Sequence, residues 1–250
     1  MTPITVIHSF RRGTGKSSIA ANLAVLLADG GLRVGLIDAN LQSPSLHLFF
    51  GIDDLDYRLT INDYLAGRCE LRMVATDVTH RIASPPAGKV VLVPASGETE
   101  KILETLRGVY RAETLSEGLA ALAEDLHLDM VLVDTAAGLS EETLLTIAIA
   151  DHVLLLLRPD HQDYYGTGVL IDLAHRLGAP DIRLIVNEVP VDFDAGEVAL
   201  RVASVFSQPV VAVLHHSESL QTIGSGGLFV RRTPNAPIAR ALRQIAAELV

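Results

Sequence analysis

A chain of 250 residues is long enough for one large α/β domain or two small ones. Hydrophobic residues make up 49% and aromatic residues only 4%, so the core must consist mostly of Ala, Val, Leu and Ile. A formal net charge of −10 argues against a protein whose whole surface attracts nucleic acid or anionic lipid. The single cysteine, Cys69, excludes an internal disulfide and a multi-cysteine metal site within one chain.

Short runs rich in Leu or β-branched residues recur along the chain and predict strands. In chain order they read ITVIHS, RVGLID, VVLVPA, DMVLVD, HVLLLL, IRLIVN and VVAVL. Helix-like stretches separate most of them, which is typical of a doubly wound, mostly parallel α/β sheet with helices on both faces. Because no linker or repeat marks a boundary, we expect a single domain over residues 1–250.

The most apolar run, Leu144 to Leu157, is broken by Asp151 and His152. It is too short and too polar to span a bilayer, so it is interpreted as a helix end followed by a buried strand. The first residues run directly into a strand pattern and do not resemble a targeting segment. These features predict a cytoplasmic protein, with peripheral association with a membrane or the nucleoid left open.

The stretch SFRRGTGKSS, Ser9 to Ser18, nearly matches the phosphate-loop pattern G-x-x-x-x-G-K-[ST], but Phe10 stands where the first glycine belongs. It lies between the first predicted strand and a predicted helix, which is where a phosphate loop must lie. Backbone N–H groups of residues 13–18 are expected to point at phosphates, and the positive end of the helix dipole adds to their attraction.

Lysine is rare in this chain, because only Lys16, Lys89 and Lys101 account for the lysines among 20 basic residues. Lys16 therefore indicates a site that needs a compact ammonium between β- and γ-phosphate oxygens, where a planar guanidinium is too large. Ser17 is predicted to offer its hydroxyl to Mg²⁺. Ser18 is predicted either to contact the α-phosphate or to be an ordinary serine of a first helical turn.

The loop resembles the deviant phosphate loop of the MinD/ParA ATPases, K-G-G-x-G-K-[ST]-[ST], over residues 11–18. In that family the first residue, a signature lysine, crosses an ATP-sandwich dimer to the partner's phosphates. The resemblance assigns this role to Arg11, and the alternative is a solvated basic rim. Arg12 replaces the second small residue of the pattern, and a non-glycine residue there narrows the backbone angles that the loop can adopt.

Two further segments extend the resemblance. VGLIDANLQSPSLHLFFGI, residues 34–52, is similar to the family's Asp-x-Asp strand end and first switch, and it implies that Asp38 holds Mg²⁺ through water. DMVLVDTAAG, residues 129–138, is similar to the Walker B and second switch segment. There the resemblance implies that Asp134 holds a Mg²⁺ water and that the N–H of Gly138 contacts the γ-phosphate.

Late in the chain, Asn187 lies at the end of a predicted strand, at the position where family members bind the adenine edge with an asparagine. The resemblance implies the same role for Asn187, and the alternative is that its side chain caps a turn. Pro159 and Asp160 look like the family's turn that shapes the interface or base pocket. Asn40 replaces the second aspartate of Asp-x-Asp, so slow hydrolysis is expected. Three interpretations of Asn40 are open: natural divergence, an Asp→Asn substitution that traps the ATP state, or a residue that caps the following turn.

The resemblance implies a MinD/ParA-like ATPase that binds ATP and Mg²⁺ and forms an ATP-dependent homodimer. Such a protein acts as a nucleotide-switched spatial organiser with a membrane surface or DNA, and with an unknown cargo or activator protein. The alternatives are a non-hydrolysing ATP-binding scaffold and a bacterial tyrosine-kinase-like domain, although Tyr165 is the last tyrosine. The predicted site residues have three roles: catalytic Arg11, Lys16 and Asn40; nucleotide-binding Gly13, Thr14, Gly15, Lys16, Ser17, Ser18, Gly138 and Asn187; and metal-binding Ser17, Asp38 and Asp134.

Two segments bear on the surface that such a dimer engages. The last segment, Ala236 to Val250, carries only Arg240 and Arg243 as basic residues and is expected to be a packed helix instead of a membrane anchor. GGLFVRRTP, residues 226–234, is read either as a strand with buried apolar residues or as an exposed membrane or DNA site with Arg231 and Arg232 beside an apolar run.

Overall fold

The structure is a computed structural model that describes residues 1–53, 58–107, 112–224 and 226–250. Eight strands in the described part form one sheet in the order β3-β4-β2-β5-β1-β6-β7-β8. They are β1 Ile4–His8, β2 Arg33–Ala39, β3 Thr76–Asp77, β4 Lys89–Val93, β5 Met130–Thr135, β6 His152–Leu157, β7 Ile182–Val189 and β8 Val210–His215. Only β3 among these strands runs antiparallel to its neighbour, so the predicted doubly wound, mostly parallel sheet is confirmed.

Helices cover both faces of this sheet. In chain order they are α1 Lys16–Asp29, α2 Leu46–Phe49, α3 Ile61–Leu65, α4 Leu71–Val74, α5 Thr99–Arg107, α6 Ala112–Asp125, α7 Glu141–Ala148, α8 His161–Arg176, α9 Ala195–Phe206, α10 Glu218–Ile223, α11 Phe229–Arg232 and α12 Pro237–Glu248. The apolar run between residues 144 and 157 divides into the end of α7 and the buried strand β6, as expected. No described helix is both long and apolar enough to cross a membrane.

The strand β1 lies at the centre of the sheet between β5 and β6. Its consecutive residues Val6 and Ile7 enter separate apolar cores on the two faces, because successive side chains of a strand point in opposite directions. The helix α1 that follows is buried almost along its whole length, and its alanines allow it to pack closely on the sheet and on α12. The predicted packed C-terminal helix is confirmed in α12.

The segment from residue 226 to 234 corrects both readings of its sequence. Leu228, Phe229 and Val230 are buried, so the exposed membrane or DNA site is wrong, and Phe229–Arg232 forms a short helix instead of a strand. The backbone N–H of Val230 donates to Asn22 Oδ1 at 3.0 Å. Arg231 pairs with both carboxylate oxygens of Asp29 at 2.6 and 2.8 Å. This segment therefore anchors to α1.

Candidate nucleotide and magnesium site

The loop between β1 and α1 has the backbone shape of a phosphate loop. Gly13 and Gly15 adopt φ angles of 76° and 93°, in the left-handed region that glycine enters without steric cost. Gly15 is also the N-cap of α1, so the N–H groups that begin this helix remain available to an anion. Arg12 does not adopt a positive φ, and the loop therefore accommodates its side chain without that form of backbone strain.

A cavity of about 280 Å³ lies against this loop. Its wall comes from the loop, the start of α1, the segment after β2 and one residue after β5. The lining residues are Arg12, Gly13, Gly15, Lys16, Ser17, Ser18, Asn40, Ser43, Ser45 and Ala137. Thr14 does not line the cavity. Its side chain is buried, and its hydroxyl donates to Ser9 Oγ at 2.9 Å. Most of the predicted phosphate-binding residues thus share one space.

Lys16 is buried within this site, and its Nζ donates to Ser9 Oγ at 3.0 Å. Burial is the largest effect on the pKa of Lys16 and lowers it, the nearby Asp134 carboxylate raises it, and the charge of Arg12 lowers it. An ammonium held in a partly dehydrated place beside a cavity is suited to an anionic ligand.

Asp38 and Asp134 face each other in register at the carboxyl ends of β2 and β5. Burial raises the pKa of Asp38 to about 6. Burial, aided by the neighbouring Asp38 charge, raises the pKa of Asp134 to about 7. The Oδ1 of Asp38 accepts the N–H of Asn40 at 3.1 Å, and its Oδ2 accepts those of Ser45 and Leu46 at 3.0 Å each. Asp38 therefore fixes the predicted first switch.

The two carboxylate oxygens of Asp134 have no hydrogen-bond partner among the described residues. The Ser17 hydroxyl and the Lys16 ammonium lie close enough to lower the pKa of Asp134, but burial has the larger effect. A buried carboxylate is costly unless a cation or hydrogen bonds compensate it. Carboxylate and hydroxyl oxygens are the protein ligands that suit Mg²⁺. Ser17, Asp38 and Asp134 thus fit the predicted magnesium site.

Asn40 lines the cavity, but its side-chain amide also stabilises the turn that follows. Its Nδ2 donates to the Ser43 carbonyl at 2.6 Å, and the Ser43 N–H donates back to the Asn40 carbonyl at 3.1 Å. The turn-capping alternative therefore has structural support. The catalytic role of Asn40 stays a prediction, with its side-chain carbonyl as the group that can accept a hydrogen bond from water.

The second switch is tied to the phosphate loop. Gly138 has a φ of 91°, and its N–H donates to the Ser9 carbonyl at 3.0 Å. Ala137, one residue earlier, lines the cavity instead. The predicted contact between the Gly138 N–H and a γ-phosphate stays a prediction, and it requires this internal hydrogen bond to break.

His8, which the sequence did not single out, ends β1 directly before the loop and is fully buried. Its Nδ1 lies 2.7 Å from Thr135 Oγ1, and the Thr135 hydroxyl donates to the Ile7 carbonyl at 3.0 Å. Because a hydroxyl has only one proton, Nδ1 must be the donor to Thr135. Burial, with a smaller contribution from the Lys16 charge, lowers the pKa of His8 to about 3.

Asn187 supports the loop from β7. Its Nδ2 donates to the Thr14 carbonyl at 2.9 Å, and a Cβ at Gly15 would lie 2.8 Å from that nitrogen. The next residue, Glu188, has a φ of 58°, and its Oε2 lies 2.5 Å from His216 Nδ1. No pattern in the sequence predicted the pairing of Glu188 with His216. Reading of adenine by Asn187 stays a prediction, although the structure places its amide beside the loop.

Arg11 is engaged by the start of α8. Its Nη1 lies 3.0 Å from both carboxylate oxygens of Asp160, and its Nε lies 3.4 Å from Asp163 Oδ1. Asp160 is also the N-cap of α8, and Arg158 shares the Asp163 carboxylate at 3.2 Å. The turn at Pro159 and Asp160 thus contacts the loop through charge. Arg11 lines a second cavity with Phe10, and this cavity shares no lining residue with the phosphate cavity.

Comparisons with known proteins agree with this geometry. The family model of the CobQ/CobB/MinD/ParA nucleotide binding domain matches residues 5–228. An uncharacterized ATP-binding protein of Methanocaldococcus jannaschii is 31% identical over 98% of this chain and 86% of its own length. The septum site-determining protein MinD of Thermotoga maritima is 25% identical over 100% of this chain and 88% of its own length.

Solved structures share the fold. The septum site-determining protein MinD of Pyrococcus horikoshii, complexed with Mg-ADP, has a TM-score of 0.82 at 24% identity, covering 100% of this chain and 96% of that chain. The resemblance inferred from residues 11–18 is confirmed by the family match. The chain belongs to the CobQ/CobB/MinD/ParA family of nucleotide-binding domains.

Proposed function

We propose that this chain is a Mg²⁺-dependent ATPase of the MinD/ParA type whose ATP-bound form dimerises with nucleotide between the subunits. One observation carries the proposal. The buried Asp134, whose carboxylate oxygens have no partner within hydrogen-bonding distance among the described residues, lies near enough to the Ser17 hydroxyl and the Lys16 ammonium for both to lower its pKa, and these two residues line the cavity of the phosphate loop. Relatives described as ATP-binding or as complexed with Mg-ADP support the choice of ligand.

The residues of the loop divide the work of binding. The N–H groups of residues 13–18 would donate hydrogen bonds to the phosphate oxygens, with Ser18 at the α-phosphate, and Lys16 would neutralise charge between the β- and γ-phosphates. Ser17, Asp38 and Asp134 would hold Mg²⁺ directly or through water. When bound, Mg²⁺ supplies positive charge that offsets the charge developing on the phosphates during transfer.

Asn40 sets the expected rate. An amide accepts no proton as a carboxylate does, so the attacking water would be positioned by the Asn40 carbonyl without general-base help. Phosphoryl transfer depends mainly on positioning and charge stabilisation, and hydrolysis is therefore slow instead of absent. A non-hydrolysing ATP-binding scaffold is the second candidate, because the Asn40 amide is held by the Ser43 carbonyl at 2.6 Å.

Dimerisation would use Arg11. To reach a partner's phosphates, Arg11 must leave Asp160 and Asp163, and Arg158 remains on Asp163 to compensate that buried carboxylate. The terminal phosphate of ATP supplies the added negative charge that ADP lacks, so the exchange favours ATP. By analogy with the relative named a septum site-determining protein, the dimer would position a cargo at a membrane or DNA surface.

Light scattering after size exclusion tests the dimer, with Mg²⁺ and either ATP or ADP in the buffer. We expect a dimer with ATP and a monomer with ADP, and Lys16→Ala should bind neither nucleotide. Arg11→Ala should lose the dimer while it still binds ATP, and Arg176→Ala, at an exposed arginine paired with Asp172, serves as the matched control. A wild-type monomer in saturating Mg·ATP would contradict the sandwich dimer.

Phosphate release, measured alone and with anionic liposomes or DNA, tests the activity separately. Slow release that either surface accelerates would support a spatial organiser. Release that is undetectable under every condition, combined with tight ATP binding, would favour the scaffold.

A further inference from the structure

Arg12 is the second residue at which this loop differs from the family pattern, and the role assigned to Arg11 does not account for it. It lies on the wall of the phosphate cavity together with Asn40 and Ser43, and its side chain is exposed. Its described hydrogen bond is to Gln42 Oε1, at 3.4 Å from Arg12 Nη2. This hydrogen bond is long and its acceptor is an uncharged amide oxygen, so the guanidinium can exchange it for a stronger acceptor at little cost.

The two arginines of the loop have opposite environments. Arg11 is bound by two carboxylates at the start of α8, whereas no carboxylate in the described part of the chain pairs with Arg12. The charge of Arg12 instead acts on Lys16, whose pKa it lowers, after the larger effects of burial and of Asp134. Two cations therefore act on the same cavity, and an anionic ligand relieves their mutual repulsion.

The position of Arg12 within the cavity indicates which phosphate it reaches. Ser18 stands in the first turn of α1, where the α-phosphate is expected. Arg12 contacts Gln42, two residues beyond Asn40, on the side of the segment that follows β2. That is the side where the attacking water, and hence the terminal phosphate, is expected.

We propose that Arg12 is a ligand of the terminal phosphate of ATP within its own subunit, so that a single subunit distinguishes ATP from ADP before any dimer forms. A guanidinium binds a phosphate through two parallel hydrogen bonds, which gives both charge and geometry. On ATP binding Arg12 leaves Gln42, and the segment after β2 is released from the loop. This assignment rests on the proposed function and adds a ligand that the family pattern, with a small residue here, does not provide.

Isothermal titration with Mg²⁺ and either ADP or a non-hydrolysable ATP analogue tests the assignment in wild type, Arg12→Ala and Arg12→Lys. Loss of one charge-assisted phosphate contact should weaken analogue binding about tenfold, equivalent to about 1.4 kcal/mol, and ADP binding less than about twofold. Arg12→Lys should restore part of the difference, and Arg176→Ala should show none. The same series in an Arg11→Ala background separates the effect from dimerisation.

The outcomes distinguish this inference from the function on which it rests. Wild-type protein that binds neither nucleotide contradicts the proposed function itself. If wild type binds both nucleotides, the assignment is overturned when Arg12→Ala weakens the binding of both equally or of neither, and the proposed function still stands. An Arg12→Ala effect that disappears in the Arg11→Ala background also overturns it, because Arg12 would then act only across the dimer.

Discussion

His8 should contribute a loss of stability to this protein in mild acid. The ring is fully buried at the end of β1, where it donates from Nδ1 to Thr135 Oγ1 at 2.7 Å. The substitution His8→Asn retains an amide donor near the position of Nδ1 and removes the titrating ring. Since Asn lacks part of the ring volume, the variant is expected to be less stable at every pH, and the informative quantity is how that difference changes with pH.

The sign follows from proton binding. Burial lowers the pKa of His8 from an ordinary 6.5 to about 3, so the unfolded state binds a proton at a higher pH than the folded state. The contribution of His8 to the free energy of unfolding therefore falls as pH drops below 6.5 and stops falling near pH 3. Between pH 7.5 and 5 the loss from this one group is about 2 kcal/mol, from about 1.4 kcal/mol per pH unit.

Urea unfolding followed by circular dichroism, at several pH values between 5 and 7.5, measures this quantity for both proteins. Asp38 and Asp134 have raised pKa values and act in the opposite direction, because protonation favours their folded state. They are present in both proteins, so subtraction isolates His8. The stability of His8→Asn relative to wild type should rise by about 2 kcal/mol on acidification. A difference that stays constant with pH would show that His8 titrates normally in the folded protein.

Two further predictions concern the loop and the rate. Gly166→Ala should destabilise the fold by about 1–3 kcal/mol, because a Cβ there would lie 2.0 Å from Cγ and Cδ1 of Phe10, whereas the matched Gly168→Ala meets Phe206 at 3.8 Å. Equal unfolding midpoints for the two alanine variants would refute this packing. Asn40→Asp should raise single-turnover ATP hydrolysis by a factor of roughly 10² to 10⁴ with little change in ATP affinity, and equal rates would exclude residue 40 from catalysis.

The sheet was predictable because its signal is local. Seven apolar runs became β1, β2, β4, β5, β6, β7 and β8, since a buried parallel strand reads as a continuous apolar segment. The edge strand β3 was missed because Thr76–Asp77 has two residues and no apolar pattern. The Leu, Phe and Val of residues 228–230 favoured a strand in the sequence. In the structure these residues are buried, and the N–H of Val230 donates to Asn22, which lies far away in the sequence.

The residues of the phosphate site also divide into those that local sequence motifs predicted and those that they did not. The loop residues are contiguous, so their pattern predicted Lys16, whereas Asp38 and Asp134 were predicted from the resemblance of two strand ends to family motifs. The carboxyl ends of those two strands are neighbours in the sheet. The pairing of Arg11 with Asp160 joins residues 149 positions apart, and no local pattern encodes it. The same holds for His8, because a histidine at a strand end has no distinctive spacing and only its burial beside Thr135 reveals its protonation state.

Phe10 links these departures from the standard loop. Phe10 stands where the standard phosphate loop has its first glycine, and its ring packs against Gly166 on α8 and lines a cavity with Arg11. The same helix presents Asp163 to Arg11, and Asp160 at its N-cap binds Arg11 as well. The start of the loop is thus anchored to α8 by packing and by charge. This anchor holds Arg11 and leaves Arg12 at the phosphate cavity, and our proposals accordingly assign the two adjacent arginines to different steps, Arg12 to nucleotide binding and Arg11 to the later contact with a partner subunit.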